Sequence, residues 1–315
     1  DLPPVGEPPI TRPEIYYGEK SDGYVIVKTR TQEFDYPKGD QNAFTTYQGN
    51  SGVSIGSYLS RLIFALRFGD FNILLTDAIT PESRILYVRN IPERVHTIAP
   101  FLQYDHDPYL VIADGRLWWI QDDYTTSDRY PYSEPYRHTF NYIRNSVKIV
   151  INAYDGSLTF YIADAEEPIL RAYRGIFPTL FQSLDEMPAF LRPHIRYPED
   201  LFLVQAEMYR TYHMRDAQVF YNKEDLWETP KEVFAGKEQL MEPYYVIMRL
   251  PGGTRESFMR ILPIVPDNRQ NKGAWMGAQC DSEDYGKMVA YRFPKEKLIY
   301  GPRQIAARID QDPTI

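Results

Sequence analysis

The sequence is nearly without cysteine. Among 315 residues only Cys280 occurs, so no intramolecular disulfide can form and no CxxC zinc pair exists. A chain of this length buries enough core to do without either. Long apolar runs are also missing. A bilayer span needs about 20 nearly uncharged apolar residues, and the best stretches, 59–68 and 109–120, are interrupted by Arg61, Arg67, Asp114 and Arg116. Positive charge is in deficit: 35 Lys and Arg against 43 Asp and Glu give −8, with no basic stripe. Such a surface repels phosphate backbones, so no nucleic-acid partner is expected.

Catalytic signatures are scarce too. His96, His106, His138, His194 and His213 form no i, i+4 pair and no HExxH, and there is no GxSxG elbow. Gly49, Gly52 and Gly56 precede a helix, but the Lys-Ser/Thr of a phosphate-binding loop is absent. His106 stands between Asp105 and Asp107, a trio able to bind a metal or act as an acid–base pair; a solvated loop before a strand explains it more simply. Cys280 is followed by Asp281, Glu283 and Asp284, anions that disfavour a thiolate, and that acidic run lacks the EF-hand pattern. Neither metal nor cofactor is expected.

Aromatic side chains, by contrast, are abundant: 26 Tyr, 16 Phe and 4 Trp. Tyrosine suits half-wet surfaces, where the ring packs and the hydroxyl finds a partner. Pro3, Pro4, Pro8, Pro9 and Pro13 make residues 1–13 an extended arm or linker. Residues 14–315 read as the folded body, with a division into two lobes placed near 230–240. Strands are predicted over 24–28 and 33–36. A helix follows in which Leu59, Leu62, Ile63 and Leu66 fall on one apolar face, with Ser57 as its cap and Gly69 as its end.

Asn90 and Glu93 have capping-box spacing, with Pro92 in the first turn, Val95, Ile98, Ala99 and Leu102 as a core face, and Pro100 as the stop. Asp114-Gly115 and Asp155-Gly156 lie between β-rich runs, a strong hairpin signal. Residues 166–227 read as helical, one helix being opened by Pro198 with Leu201, Val204 and Met208 as its apolar side. The remainder is mostly β, with Gly252-Gly253 in a turn, strands at 287–293 and 297–300, and a short helix over 303–309. Because strands and helices come in blocks, the predicted class is α+β: mixed, mainly antiparallel sheets with hairpins, packed against several helices.

A series of motifs runs through the chain: Phe34-Asp35-Tyr36-Pro37-Lys38-Gly39-Asp40, Ala65-Leu66-Arg67-Phe68-Gly69-Asp70, Asp107-Pro108-Tyr109-Leu110-Val111, Tyr124-Thr125-Thr126-Ser127-Asp128-Arg129-Tyr130-Pro131-Tyr132-Ser133, Asn141-Tyr142-Ile143-Arg144-Asn145-Ser146-Val147-Lys148, Tyr197-Pro198-Glu199-Asp200-Leu201-Phe202, Met241-Glu242-Pro243-Tyr244-Tyr245 and Tyr300-Gly301-Pro302. In order and spacing it resembles an uncharacterised UPF-series family of large multi-pass bacterial and archaeal membrane proteins. The resemblance implies topology more than chemistry. Several N-terminal membrane helices, missing here, would tether an extracytoplasmic region of which this chain is a soluble fragment; the start at Asp1 and the end at Ile315 fit an excised piece. The family supplies no catalytic residues. Asp123 stands where its pattern has Ala, and Asn152 where it has Asp.

The candidate binding residues are Asp122, Thr125, Thr126, Asp128, Arg129, Tyr130 and Tyr132, from the stretch 122–133 read as a loop at a strand end. Carboxylates, hydroxyls, a guanidinium and tyrosine rings together suit a sugar or an acidic polymer; a hydrogen-bonded structural loop is the plainer alternative. Arg129 is expected to meet a carboxylate or carbonyls, with tyrosines on its plane. The expected role is a non-catalytic binding or assembly module on the outer side of the cell membrane, with a cell-envelope glycan or a membrane protein as partner. The alternative is an envelope hydrolase with paired carboxylates, which glycosidase chemistry holds roughly 5–9.5 Å apart.

Overall fold

The computed structural model describes residues 7–38, 41–234, 236–267, 271, 273–281, 283–294, 297 and 299–311. The chain divides into two compact units, residues 1–191 and 192–315; the break placed near 230–240 from sequence falls inside the second. Among the described residues all strand pairs but one are antiparallel and helices come in blocks, an α+β architecture.

In the first unit, β1 (Val25–Val27), the hairpin of β2 (Glu33–Lys38) with β3 (Gln41–Thr45), and β4 (Val53–Ser54) lead into α1 (Tyr58–Phe68). Ser57 caps α1 by accepting from the Ser60 amide at 3.2 Å, and Gly69 closes it at φ 67°, as the residues predict. The apolar row Leu59, Leu62, Ile63 and Leu66 is not the buried face, however. Phe64 and Ala65 pack inward with Ile55, Ile73, Ile79 and Ile85, while Leu59, Ile63 and Leu66 are exposed. After α2 (Asn72–Leu75) and β5 (Arg84–Leu86), which is central in the order β1-β5-β4, comes α3 (Ile91–Ile98). Asn90 caps it through the Glu93 amide, and it ends ahead of Pro100. Val95, Ala99 and Leu102 are buried as predicted; Ile98 is exposed.

A six-stranded sheet forms the centre of this unit: β6 (Gln103–Tyr104), β7 (Tyr109–Ala113), β8 (Arg116–Ser127), β9 (Tyr142–Asn152), β10 (Leu158–Ile162) and β11 (Phe181–Ser183). Its order is β11-β10-β9-β8, with β7 and β6 both pairing to the far edge of β8. Asp114 and Gly115 form the two-residue turn into β8, at φ 50° and 68°, the left-handed pair a type I′ turn requires. Asp155-Gly156 lies in the longer loop between β9 and β10. There the Asn152 side chain accepts from the Tyr154 amide at 2.9 Å, a bond that an aspartate would make equally well. Helix α4 (Pro168–Ile176) is capped by Glu167. Beyond it, β11 pairs in parallel with β10 within a stretch that reads as helical in sequence.

Val147, Ile149 and Ile151 of β9, with Phe160 of β10, pack against Ile91 and Val95 of α3 and Leu170 of α4. The described part of the proline-rich arm is fastened to the β7–β8 turn. The Thr11 and Arg12 amides donate to the Gly115 carbonyl at 2.9 and 3.2 Å, and the Arg12 guanidinium lies 4.3 Å over the Tyr154 ring.

The second unit contains α5 (Glu199–Tyr212), α6 (Ala217–Asn222), β12 (Trp227–Glu228), the hairpin β13 (Lys231–Phe234) and β14 (Lys237–Leu240), then β15 (Tyr244–Arg249), β16 (Glu256–Pro266), β17 (Ala274–Gln279), β18 (Met288–Arg292) and α7 (Pro302–Asp310). The sheet order is β12-β16-β17-β18, with β15 also on β16, and Gly252 turns between them at φ 81°. Pro198 precedes α5 as predicted, but Phe202 and Ala206 are its buried residues, with Leu201, Val204 and Met208 only half-buried. Arg260, fully buried, donates to Glu199 and to the Tyr245 hydroxyl. Cys280 is buried, and burial pushes its thiol up from the ordinary value. The strand placed at 297–300 lies partly outside the described residues. Among those described, no helix is long and apolar enough to cross a membrane.

Ile149 has no exposed surface in the middle of β9. Its replacement by Ala is expected to lower the unfolding free energy by about 2–5 kcal/mol, read from a urea titration; a loss under about 1 kcal/mol would contradict this packing.

Candidate functional site

The long antiparallel pair of β8 and β9 carries a buried polar network and ends in the 128–141 connection. Directly paired residues of antiparallel strands share a face. Asp122 lies opposite Lys148, on the side away from Val147, Ile149 and Ile151. Lys148 donates to the Asp122 carboxylate and, at 2.9 Å, to the Asn145 carbonyl oxygen, while the Asn145 amide donates to Asp122 at 3.0 Å. Both ions are about 2% exposed. Asp105, between β6 and β7, accepts from the Tyr124 hydroxyl and from the Asp107 amide at 2.9 Å. It is buried, unlike the solvated loop residue that its sequence context suggests; His106 is exposed. Among the described residues no group of three His, Cys, Asp or Glu side chains is placed to hold a metal ion.

Asp123 differs from its neighbours. It lies opposite Val147, on the core side, with both carboxylate oxygens buried and without a hydrogen-bond partner. Burial, and then the charges of Asp122 and Asp105, push its pKa well above the carboxylate range. The next pairing is irregular: Asp123 faces Val147 but Tyr124 faces Asn145, so Ser146 is the extra residue of a bulge. Ser146 turns its hydroxyl to that of Thr125, at 2.6 Å.

Asp122 and Thr125 are therefore strand residues within the protein, with Thr126 half-buried beside them, because β8 runs on to Ser127. The loop begins only at Asp128. Asp128, Arg129, Tyr130 and Tyr132 are all exposed. Arg129 meets a carboxylate, that of Asp128 at 3.7 Å, in a pair 91% and 74% exposed and worth little in stability.

Asn141 fixes the connection. Its oxygen accepts from the Tyr130 amide at 2.9 Å, and its amide donates to the Tyr130 and Ser133 carbonyls at 2.8 and 3.2 Å. The Tyr130 ring stacks on Tyr142, centroids 5.4 Å apart and 13° from parallel. Tyr142 is held in turn by Glu167, to which its hydroxyl donates at 2.8 Å; burial and that bond push the phenol up to about 12. Tyr132, Arg137 and His138 have φ of 59°, 45° and 60°, a left-handed conformation costly for residues with a Cβ and concentrated in proteins at functional sites. Asp128, Pro135, His138, Thr139 and Phe140 line a concavity of about 160 Å³. Asp122 is not part of that concavity, whose lining holds one carboxylate, that of Asp128.

The family description "Uncharacterised protein family (UPF0182)" matches residues 1–315, the entire chain. The chain belongs to this family. It is 55% identical over 317 residues to a UPF0182 protein of Pelotomaculum thermopropionicum, covering 100% of this chain and 35% of that protein. A UPF0182 protein of Desulforamulus reducens is 56% identical over 319 residues, covering 100% and 34%. One from Methanospirillum hungatei is 50% identical over 324 residues, covering 100% and 36%. The chain thus spans about a third of the length of the curated relatives it matches. No solved structure matches it.

Sequence reasoning missed Lys148, Asn145 and Glu167, which join the network across strands and from the start of a helix. Asp123 gives the sharpest test. Its fold-raised pKa means that the stability Asp123 itself contributes is fully present below about pH 4, the ordinary aspartate value, and is lost as pH rises through the raised value. Asp123→Ala should therefore melt about 2–4 °C or more above the unmodified chain at neutral pH, the gain vanishing in acid. Calorimetry across pH reads this, and a variant less stable at pH 7 would contradict the assignment.

Proposed function

We propose that this part of the UPF0182 protein is a non-catalytic binding module, taking a polar, hydroxyl-rich ligand of the cell-envelope glycan type on the 128–142 surface. The observation that carries the reading is the built character of that connection. It is pinned by Asn141, strained at three residues with side chains, and presents Tyr130 and Tyr132 outward beside a concavity with Asp128, His138 and Thr139 on its wall. Aromatic faces with hydrogen-bonding groups around them suit sugar rings. Such a site would lie on the outer side of the cell membrane, tethered through membrane helices elsewhere in the longer family proteins. The net charge of −8 argues against a nucleic-acid ligand.

A glycan array and pull-down from envelope extracts test the proposal. Tyr132→Ala and Tyr130→Ala are expected to reduce capture about tenfold, the worth of one aromatic contact, while Tyr132→Ala leaves the melting temperature unchanged. Absence of any glycan or envelope capture, or capture by both variants equal to that of the unmodified chain, would refute it.

A further inference from the structure

The end of α5 is held by one buried imidazole. His213, the residue at which the helix stops, is 3% exposed. Its backbone amide and its Nδ1 both meet the Tyr209 carbonyl, at 3.0 and 3.2 Å. Its ring lies on the Trp227 indole of β12, with centroids 3.7 Å apart and planes 18° from parallel. Its carbonyl accepts from Arg292 of β18 at 3.0 Å, and that guanidinium also lies 5.1 Å over the Trp227 ring. One residue therefore ties the last turn of α5 to two strands.

The segment that follows has little else to hold it. Helix α6 buries no side chain, and Tyr212, Phe220 and Tyr221 are exposed. Segments with so few buried contacts open at low free energy. The body of α5 is anchored separately, by Phe202 and Ala206 in the core of the second unit.

The ring has room for one proton only. A carbonyl can only accept, so Nδ1 carries the hydrogen and Nε2 of the neutral ring presents a lone pair. Nε2 is buried, without a hydrogen-bond partner among the described residues. The charged groups around it come from three elements. Asp225, just ahead of β12, places a carboxylate oxygen 3.9 Å from Nε2; Arg292 reaches in from β18; and Arg210 of α5 donates its Nε to the Trp227 carbonyl at 2.6 Å. Burial pushes the imidazole below its ordinary value against the Tyr209 carbonyl, with the Arg292 charge assisting and Asp225 opposing.

We propose that His213 is an acid-operated latch: protonation at Nε2 moves the ring off Trp227 toward Asp225 and releases the end of α5 together with α6, while the β12-β16-β17-β18 sheet stays folded. The stability that neutral His213 contributes is fully present above about pH 6.5, the ordinary histidine value. It is lost as pH falls through the lower folded value.

Hydrogen exchange of the 315-residue chain tests this, read residue by residue from about pH 7.5 to about pH 5, the range in which histidine titrates, and corrected for intrinsic exchange rates. Amides of 210–222 should lose about tenfold or more in protection, the equivalent of one pKa unit, while those of β16 and β17 keep theirs. His213→Phe leaves a ring on Trp227 with no proton to gain, so its 210–222 protection should not change over this range. Asp225→Asn removes the carboxylate that receives the cation and should move the loss to lower pH; it carries the test alone if His213→Phe does not fold. No acid-dependent loss in 210–222, the same loss in His213→Phe, or an unshifted loss in Asp225→Asn overturns the proposal. So does an equal loss in β16 and β17, since it makes His213 a core residue of a unit that unfolds as a whole.

Discussion

An aspartate and a lysine buried opposite each other, Asp122 and Lys148, set the condition that the first unit must meet. Removing two ions from water costs several kcal/mol each, offset only when the partners meet in good geometry and the remaining polar atoms find donors. Asn145 supplies the additional bonds on β9. Register is what such a pair specifies best. A slip of one residue would turn Lys148 toward the α3 and α4 side, into the layer of Val147, Ile149 and Ile151. The bulge at Ser146 then resets the phase of β9, so that Tyr142 arrives where Tyr130 stacks on it. The exposed connection is thus positioned by charges that no ligand reaches.

The tyrosines divide along the same line. Tyr16, Tyr47 and Tyr154 form an edge-and-stack group, with centroids 4.8 to 5.3 Å apart. Their hydroxyls are used locally: Tyr16 on Glu33, Tyr47 on Ser51, and Tyr154 accepting from the Gln48 amide at 2.7 Å. Part of the tyrosine richness therefore serves a core with polar handles, while others, Tyr130, Tyr132, Tyr58 and Tyr221 among them, present ring area to solvent.

What was legible in the sequence was local. Ser57 and Gly69 around α1, Asn90 before α3, and Asp114-Gly115 at the β7–β8 turn act within a few residues, and the structure uses each as read. The hairpins and the block arrangement led to the α+β class. Of the candidate residues, only Asp128, Arg129, Tyr130 and Tyr132 lie in the exposed loop position expected of them. The run Asp122–Ser127 has loop-like polarity, yet it is strand, paired along β9, with Lys148 and Ser146, remote in sequence, serving Asp122 and Thr125. The burial of Phe64 and Ala65 rather than the leucine row of α1 has the same origin: the cluster of Ile55, Ile73, Ile79 and Ile85 decides which side of the helix is inside. Likewise β11 depends on pairing with β10 across α4, which no window of sequence contains.

The most direct test of the central claim is a double-mutant cycle on the buried pair, Asp122→Leu and Lys148→Met, followed by urea unfolding. The account predicts that either single replacement, by stranding the other ion, costs about 3–5 kcal/mol. The double replacement should recover much of that loss, leaving a coupling energy of about 2 kcal/mol or more. Single variants within about 0.5 kcal/mol of the parent, with additive effects, would contradict it.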